Sequence, residues 1–161
     1  SDDGMIHLSK DGGYTFSLLS AKFPKGLYVS RVLASAYSES RVYATLNGYR
    51  NDHFNAYVYV SDDYGTTWKQ IMKDLPLEAV NVITEDNLSS QVLYVGTDGG
   101  LYVSTDGGNS SMGWSKGLPN AVPIHDIVIH PRDNEIILGT HGRSLYTSKL
   151  DDLHKKAQAK K

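Results

Sequence analysis

Apolar and polar residues alternate along this chain in short runs, each closed by Gly, Asp, Asn or Ser. Ala56-Tyr57-Val58-Tyr59-Val60 runs into Ser61-Asp62-Asp63, and Leu101-Tyr102-Val103 runs into Ser104-Thr105-Asp106-Gly107. A two-residue period with such ends is the pattern of strands with one buried face. It predicts strands over residues 5–9 and 15–19, then over 27–37, 41–46, 56–60 and 68–72. A third group covers 79–85, 92–96 and 101–104 with a short strand near Trp114, and a last one 124–130, 135–138 and 144–147. Residues 150–161 read as weakly helical, end in lysines, and are expected to fray as a polar basic tail.

The turns between these strands repeat. Ser61-Asp62-Asp63-Tyr64-Gly65-Thr66-Thr67-Trp68 fits Ser-x-Asp-x-Gly-x-Thr-aromatic, and Ser9-Lys10-Asp11-Gly12-Gly13-Tyr14-Thr15-Phe16 is a copy ending in Phe. In Ser104-Thr105-Asp106-Gly107-Gly108-Asn109-Ser110 the aromatic, Trp114, arrives three residues late, which predicts a looser turn. The first serines lie 52 and 43 residues apart, the length of one four-stranded propeller blade. The residue types suit a chain reversal. Asp accepts backbone N–H bonds inside the turn, Gly takes the positive φ, and Ser and Thr hydroxyls add local bonds. The aromatic returns to the sheet, where it buries on the order of 200 Å². The carboxylates Asp11, Asp63 and Asp106 therefore read as turn clasps before they read as catalysts or metal ligands.

The expected fold is all-β, a propeller fragment of about three to three and a half four-stranded blades. Its segments are a partial blade at 1–20, blades at 21–73 and 74–117, and a partial blade at 118–149, followed by the tail. Closed propellers usually need four to eight blades. An open arc leaves raw strand edges, so either the parent protein is longer or copies of this chain associate.

The repeated turn is the Asp box, and the chain resembles the Asp-box (bacterial neuraminidase repeat) propellers: sialidases, xyloglucanases and the sortilin ectodomain. The last third sharpens the likeness. Pro123-Ile124-His125-Asp126-Ile127-Val128-Ile129-His130-Pro131-Arg132-Asp133-Asn134-Glu135, followed by Gly139-Thr140-His141-Gly142-Arg143-Ser144 and Asp151-Asp152-Leu153, is similar to the closing segment of large exported bacterial propellers. Those are labelled sortilin-like or glycosyl hydrolase, mostly by fold. The resemblance implies an extracellular or periplasmic protein.

Composition changes the picture little. A net charge of −2 over 161 residues gives no electrostatic pull on nucleic acid or membrane. Cysteine is absent, so there is no disulfide framework. No signal peptide or long apolar run is present. The chain opens at Ser1-Asp2-Asp3-Gly4, inside a repeat, and reads as a piece of something longer.

Blade topology separates two ends. In an up-and-down blade the turn between the second and third strands lies on the face where the innermost strand begins, the mouth. The Asp-box turn, between the third and fourth strands, lies on the opposite face. The mouth candidates are therefore Arg31, Asn81, His125 and Asp126 from the innermost strands, with Arg50, Asp52, His53, Asp98, His141 and Arg143 from the turns. Residues 47–55 form the longest of these turns, and extra loop on a rigid scaffold often carries recognition. His125, Asp126, His141 and Arg143 come from one blade and are expected to form one polar cluster, with Arg143 receiving an anionic group.

No metal or cofactor is expected. His125 and His130 lie five apart on one strand, so a period of two sends them to opposite faces. No nucleophile elbow, P-loop, paired cysteine or zincin motif occurs. Two function classes remain. The favoured one is a binding or scaffolding propeller that takes a protein or carbohydrate ligand, without nucleic acid or membrane insertion. The alternative is part of a sialidase- or xyloglucanase-like glycoside hydrolase. A sialidase would need an arginine clamp, for which Arg31, Arg50 and Arg143 are the candidates, and a Tyr–Glu pair, where Glu78 finds no Tyr. Other glycosidases need two carboxylates about 5–9.5 Å apart, for which Asp98 and Asp126 are the only pair. A photosystem-assembly type of Asp-box propeller is a third possibility.

Overall fold

The computed structural model describes residues 2–19 and 23–151. It divides into two compact units, Ser1–Val80 and Asn81–Lys161.

The first unit carries a two-stranded pair, β1 (His7–Leu8) and β2 (Ser17–Leu18). A four-stranded sheet follows, made of β3 (Tyr28–Ala34), β4 (Val42–Gly48), β5 (His53–Ser61) and β6 (Lys69–Ile71). The strands pair antiparallel in chain order, the meander of a propeller blade. Alternation delivers the core: Ile6, Phe23, Leu27, Val29, Ala44 and Leu46 are buried, with Leu19, Tyr57, Tyr59 and Trp68 packed against them. Phe23 links two of the latter, its ring centre 4.8 Å from that of Tyr59 and 5.1 Å from that of Trp68.

In the second unit, β7 (Val80–Glu85, starting on the boundary residue), β8 (Leu93–Thr97), β9 (Leu101–Ser104) and β10 (Met112–Trp114) form another four-stranded meander. A three-stranded sheet ends the described chain: β11 (Ile124–His130), β12 (Glu135–Thr140) and β13 (Leu145–Lys149). Its core joins Val82, Val92, Tyr94, Leu101 and Val103 to Ile124, Ile127, Ile136 and Leu138. Gly96 permits this approach, because a Cβ there would stand 2.7 Å from side-chain atoms of both Val82 and Ile124. The buried Tyr94 hydroxyl donates to Asp86 Oδ2 at 2.8 Å, and burial followed by the Asp86 charge raises its pKa.

The architecture is the expected one, an all-β Asp-box propeller fragment with strands grouped two, four, four and three. Three details differ. The turn at 47–55 is not an extended loop, since β4 and β5 reach further and Gly48 pairs with His53. What remains is a single 3-10 turn at Tyr49–Asn51. It closes on Asp52 at φ 53° and is tied by Asn47 Oδ1, which accepts from Tyr49 N at 2.9 Å. Second, Leu150 is no part of a frayed tail. Its side chain is fully buried in the core and its N–H donates to Asn134 O. Residues 152–161 of the expected tail lie outside the described residues, as does the expected boundary at 20/21. Third, β-bulges interrupt two innermost strands, between Val29 and Arg31 and between Ile124 and Asp126.

Candidate functional site

At the Asp-box ends the same cage of hydrogen bonds forms three times. The hydroxyls of Ser9, Ser61 and Ser104 donate to Asp11, Asp63 and Asp106 at 2.8, 2.7 and 2.8 Å. The same serine oxygens accept from the N–H of Gly13, Gly65 and Gly108 at 2.7, 2.8 and 2.9 Å. Each carboxylate then takes a backbone N–H and a hydroxyl from one residue: Thr15, Thr67 or Ser110. Gly65 sits at φ 84°, with 96° and 91° at Gly13 and Gly108. A Cβ at Gly65 would run into the Leu19 side chain. Donated bonds, above all from Thr15 and Thr67, hold the Asp11 and Asp63 carboxyls at about 2. In Asp106 bonds from Ser110 and Ser104 outweigh burial, the largest single influence, and the pKa is again lowered.

The third turn is as tight as the others, against the expectation of a looser one. Its register explains why. Met112 pairs with Val103, the residue before the box serine, just as Lys69 pairs with Val60 in the previous sheet. Ser111 thus occupies the place of Trp68, and nothing is inserted. Trp114 pairs with Leu101 at the other end of the strand, where Ile71 pairs with Val58 in the earlier sheet. It packs against the core, 6.3 Å from Tyr94, and lines an open groove of about 210 Å³ with Gly99, Gly100, Tyr102 and Asn120.

The mouth ends differ from sheet to sheet. Arg31 follows the first bulge and is half-buried in β3. Arg50 is exposed, with its guanidinium 5.5 Å from the Tyr28 ring centre and 3.3 Å from Asp2. His53 Nε2 lies 2.9 Å from the Tyr57 hydroxyl, the rings stacked at 5.5 Å. Asn81 Nδ2 donates to Asp98 Oδ1 at 2.8 Å, joining an innermost strand to the second-to-third turn of its own sheet.

The last sheet brings His125 and His141 together, ring centres 5.1 Å apart. The bulge at His125 turns both His125 and Asp126 to the exposed side while Ile124 and Ile127 stay buried. The hairpin that carries His141 is held by its backbone. His141 N donates to Pro123 O, Arg143 N to Thr140 Oγ1, and Thr140 Oγ1 to Ser144 O. Arg143 itself is exposed.

The bulge also corrects the argument that separated His125 from His130. It breaks the two-residue alternation, so opposite faces are not the reason they cannot share a metal. Distance is, since five strand residues span roughly 16 Å. His130 is engaged locally, its Nδ1 accepting from Asp133 N at 3.2 Å. Among the described residues no three His, Cys, Asp or Glu side chains are grouped to hold a metal ion, and no helix is long and apolar enough to cross a membrane.

Sequence reasoning missed Tyr57 and Tyr28 as partners of His53 and Arg50. Tyr57 was within reach, because it lies four residues from His53 on one strand and alternation sets both on one face. The groove beside Trp114 was hidden by reading that residue as a box aromatic.

Residues 56–159, more than half of the chain, match the profile of a family designated Sortilin-Vps10 and described as sortilin, neurotensin receptor 3. No curated protein sequence matches significantly. Among solved structures, the GH74 xyloglucanase of Xanthomonas campestris superimposes with a TM-score of 0.72 at 17% identity, over 94% of this chain and 25% of that one. YCF48 bound to a D1 peptide gives 0.72 at 13% identity, over 94% of this chain and 46% of that one. An ancestral GH74 enzyme gives 0.64 at 16%, over 86% and 20%. The chain thus spans from a fifth to under half the length of these propellers.

Proposed function

The chain belongs to the Sortilin-Vps10 family, and from that premise we propose that it is a binding or scaffolding module of an exported Asp-box propeller, taking a protein or glycan at its mouth ends. One observation carries this reading. The box carboxylates are consumed by their own turns, whereas His125, His141 and Arg143 stand exposed on one sheet. Exposed imidazoles and a guanidinium suit a ligand with carboxylate or hydroxyl groups. A structural neighbour with a bound peptide fits a peptide ligand as well as a sugar, and its likeness to this chain is one of fold.

The hydrolase alternative gains no observation of its own. It needs two carboxylates about 5–9.5 Å apart, for which Asp98 and Asp126 are the candidates, and the GH74 neighbours share the fold alone. An extracellular or periplasmic location follows from the proposed family role.

The test is titration of acidic and neutral oligosaccharides and of short peptides against the parent and a His125→Ala, Arg143→Ala double variant. Binding by the parent that the double variant loses supports the reading. Unchanged binding reduces the cluster to a hydrated lining.

Self-association is part of the same proposal. Phe16 just before β2, Leu18 on it, and Val128 and Leu145 on the last sheet are exposed apolar residues, and such surface favours partners. Light scattering at dilute concentration is expected to report a dimer or larger species. A stable monomer contradicts it.

A further inference from the structure

Asn81 and His125 hold the same place, second in the innermost strand of their sheets. Asp98 and His141 each open the turn after the second strand. In the β7–β10 sheet the two side chains satisfy each other through a 2.8 Å hydrogen bond. The bulge residue of β3 is likewise engaged, with Ser30 Oγ 2.8 Å from Thr45 Oγ1. In the last sheet two imidazoles face one another, and neither ring makes a hydrogen bond or ion pair among the described residues. The repeat closes this position twice and leaves it open once.

We propose that His125 and His141 form a two-imidazole site for a divalent transition cation such as Zn²⁺. The ring separation fits. With metal–nitrogen bonds of about 2.0–2.1 Å at a tetrahedral angle, two imidazole ring centres lie about 5.2 Å apart. The rings here are 5.1 Å apart. Imidazole nitrogens suit Zn²⁺, Ni²⁺ and Cu²⁺, whereas Mg²⁺ and Ca²⁺ require oxygen ligands. The bulge is the enabling feature, because it turns His125 to the exposed side beside the hairpin that carries His141. Two imidazoles fill half of a tetrahedral shell, and water or donor atoms of a bound partner take the rest. The site is therefore open and exchangeable. It uses residues of the proposed mouth cluster but needs no macromolecular ligand, so the two readings fail separately.

The test is an NMR titration of the whole chain with ZnCl₂, followed through the histidine ring signals. His53 and His130, already engaged by Tyr57 and Asp133, serve as internal references, and MgCl₂ is the hard-cation control. The His125 and His141 signals are expected to shift or broaden well before the references, with no response to Mg²⁺. Either His125→Gln or His141→Gln alone is expected to weaken the apparent Zn²⁺ affinity by about tenfold or more. Four histidines responding in parallel would overturn the proposal. So would a single Gln variant that leaves the remaining histidine's response unchanged. A silent Zn²⁺ titration beside positive glycan or peptide binding removes the cation site and leaves the mouth reading standing.

Discussion

The two ends of these sheets obey different rules. At the box end, three turns of different sequence reproduce one set of hydrogen bonds to within about 0.2 Å. At the mouth end, equivalent positions hold a mutually bonded Asn–Asp pair in one sheet and two uncommitted histidines in the next. Uniformity marks the chemistry that the fold needs. Divergence among repeats marks where the fold makes no demand and a ligand can. The conspicuous motif is thus structural, and the quiet end is the candidate for function.

The largest expected effect lies in the buried box serines. Ser61 is only 2% exposed and its hydroxyl both donates and accepts. Ser61→Ala strands a buried glycine N–H and is expected to cost about 1–3 kcal/mol in chemical denaturation. Ser9→Ala, in the exposed first turn, is expected to cost less than about 1 kcal/mol. Equal losses at the two sites would break the argument from burial. At the mouth, Asn81→Ala removes a partner of Asp98 at a position 9% exposed. A loss of about 1 kcal/mol is expected, and the same substitution at His125 is expected to leave stability nearly unchanged.

A smaller effect should appear in acid. The Asp11 and Asp63 carboxyls sit at about 2 in the folded protein, against an ordinary 3.8. Between those values the unfolded chain binds protons more readily than the folded one. The box contribution is therefore complete above pH 3.8 and fades as the pH falls toward 2. Thermal stability should fall as the pH drops over that range in the parent, and an Asp11→Asn, Asp63→Asn double variant should flatten the dependence. A slope untouched by the double variant would mean that the carboxylates are not clasped in solution.

Much of this was legible in the sequence, because period-two alternation and turn residues are local signals. Ile124–His130 and Leu101–Ser104 form over the predicted residues. The meeting of His125 with His141 followed from topology alone. What escaped were features that depend on pairing. Topology places His125 and Asp126 together at the mouth, but the bulge that turns both outward shows only once the opposite strand fixes the register. Trp114 was misassigned for the same reason. Spacing from the box suggested a displaced aromatic, and only its pairing with Leu101 shows that Ser111 holds the aromatic's place. The burial of Leu150 depends on its contact with a core that one segment cannot reveal.

The central claim, that box ends carry stability and mouth ends are free to serve a ligand, meets its most direct test within the second unit. Ser104 is fully buried in its box, and His125 and His141 lie on the neighbouring sheet. The measurement is urea unfolding of Ser104→Ala beside a His125→Gln, His141→Gln double variant. The account predicts a loss of about 1–3 kcal/mol for the serine and a change within about 0.5 kcal/mol for the histidine pair. A histidine pair that costs as much as the serine would contradict it.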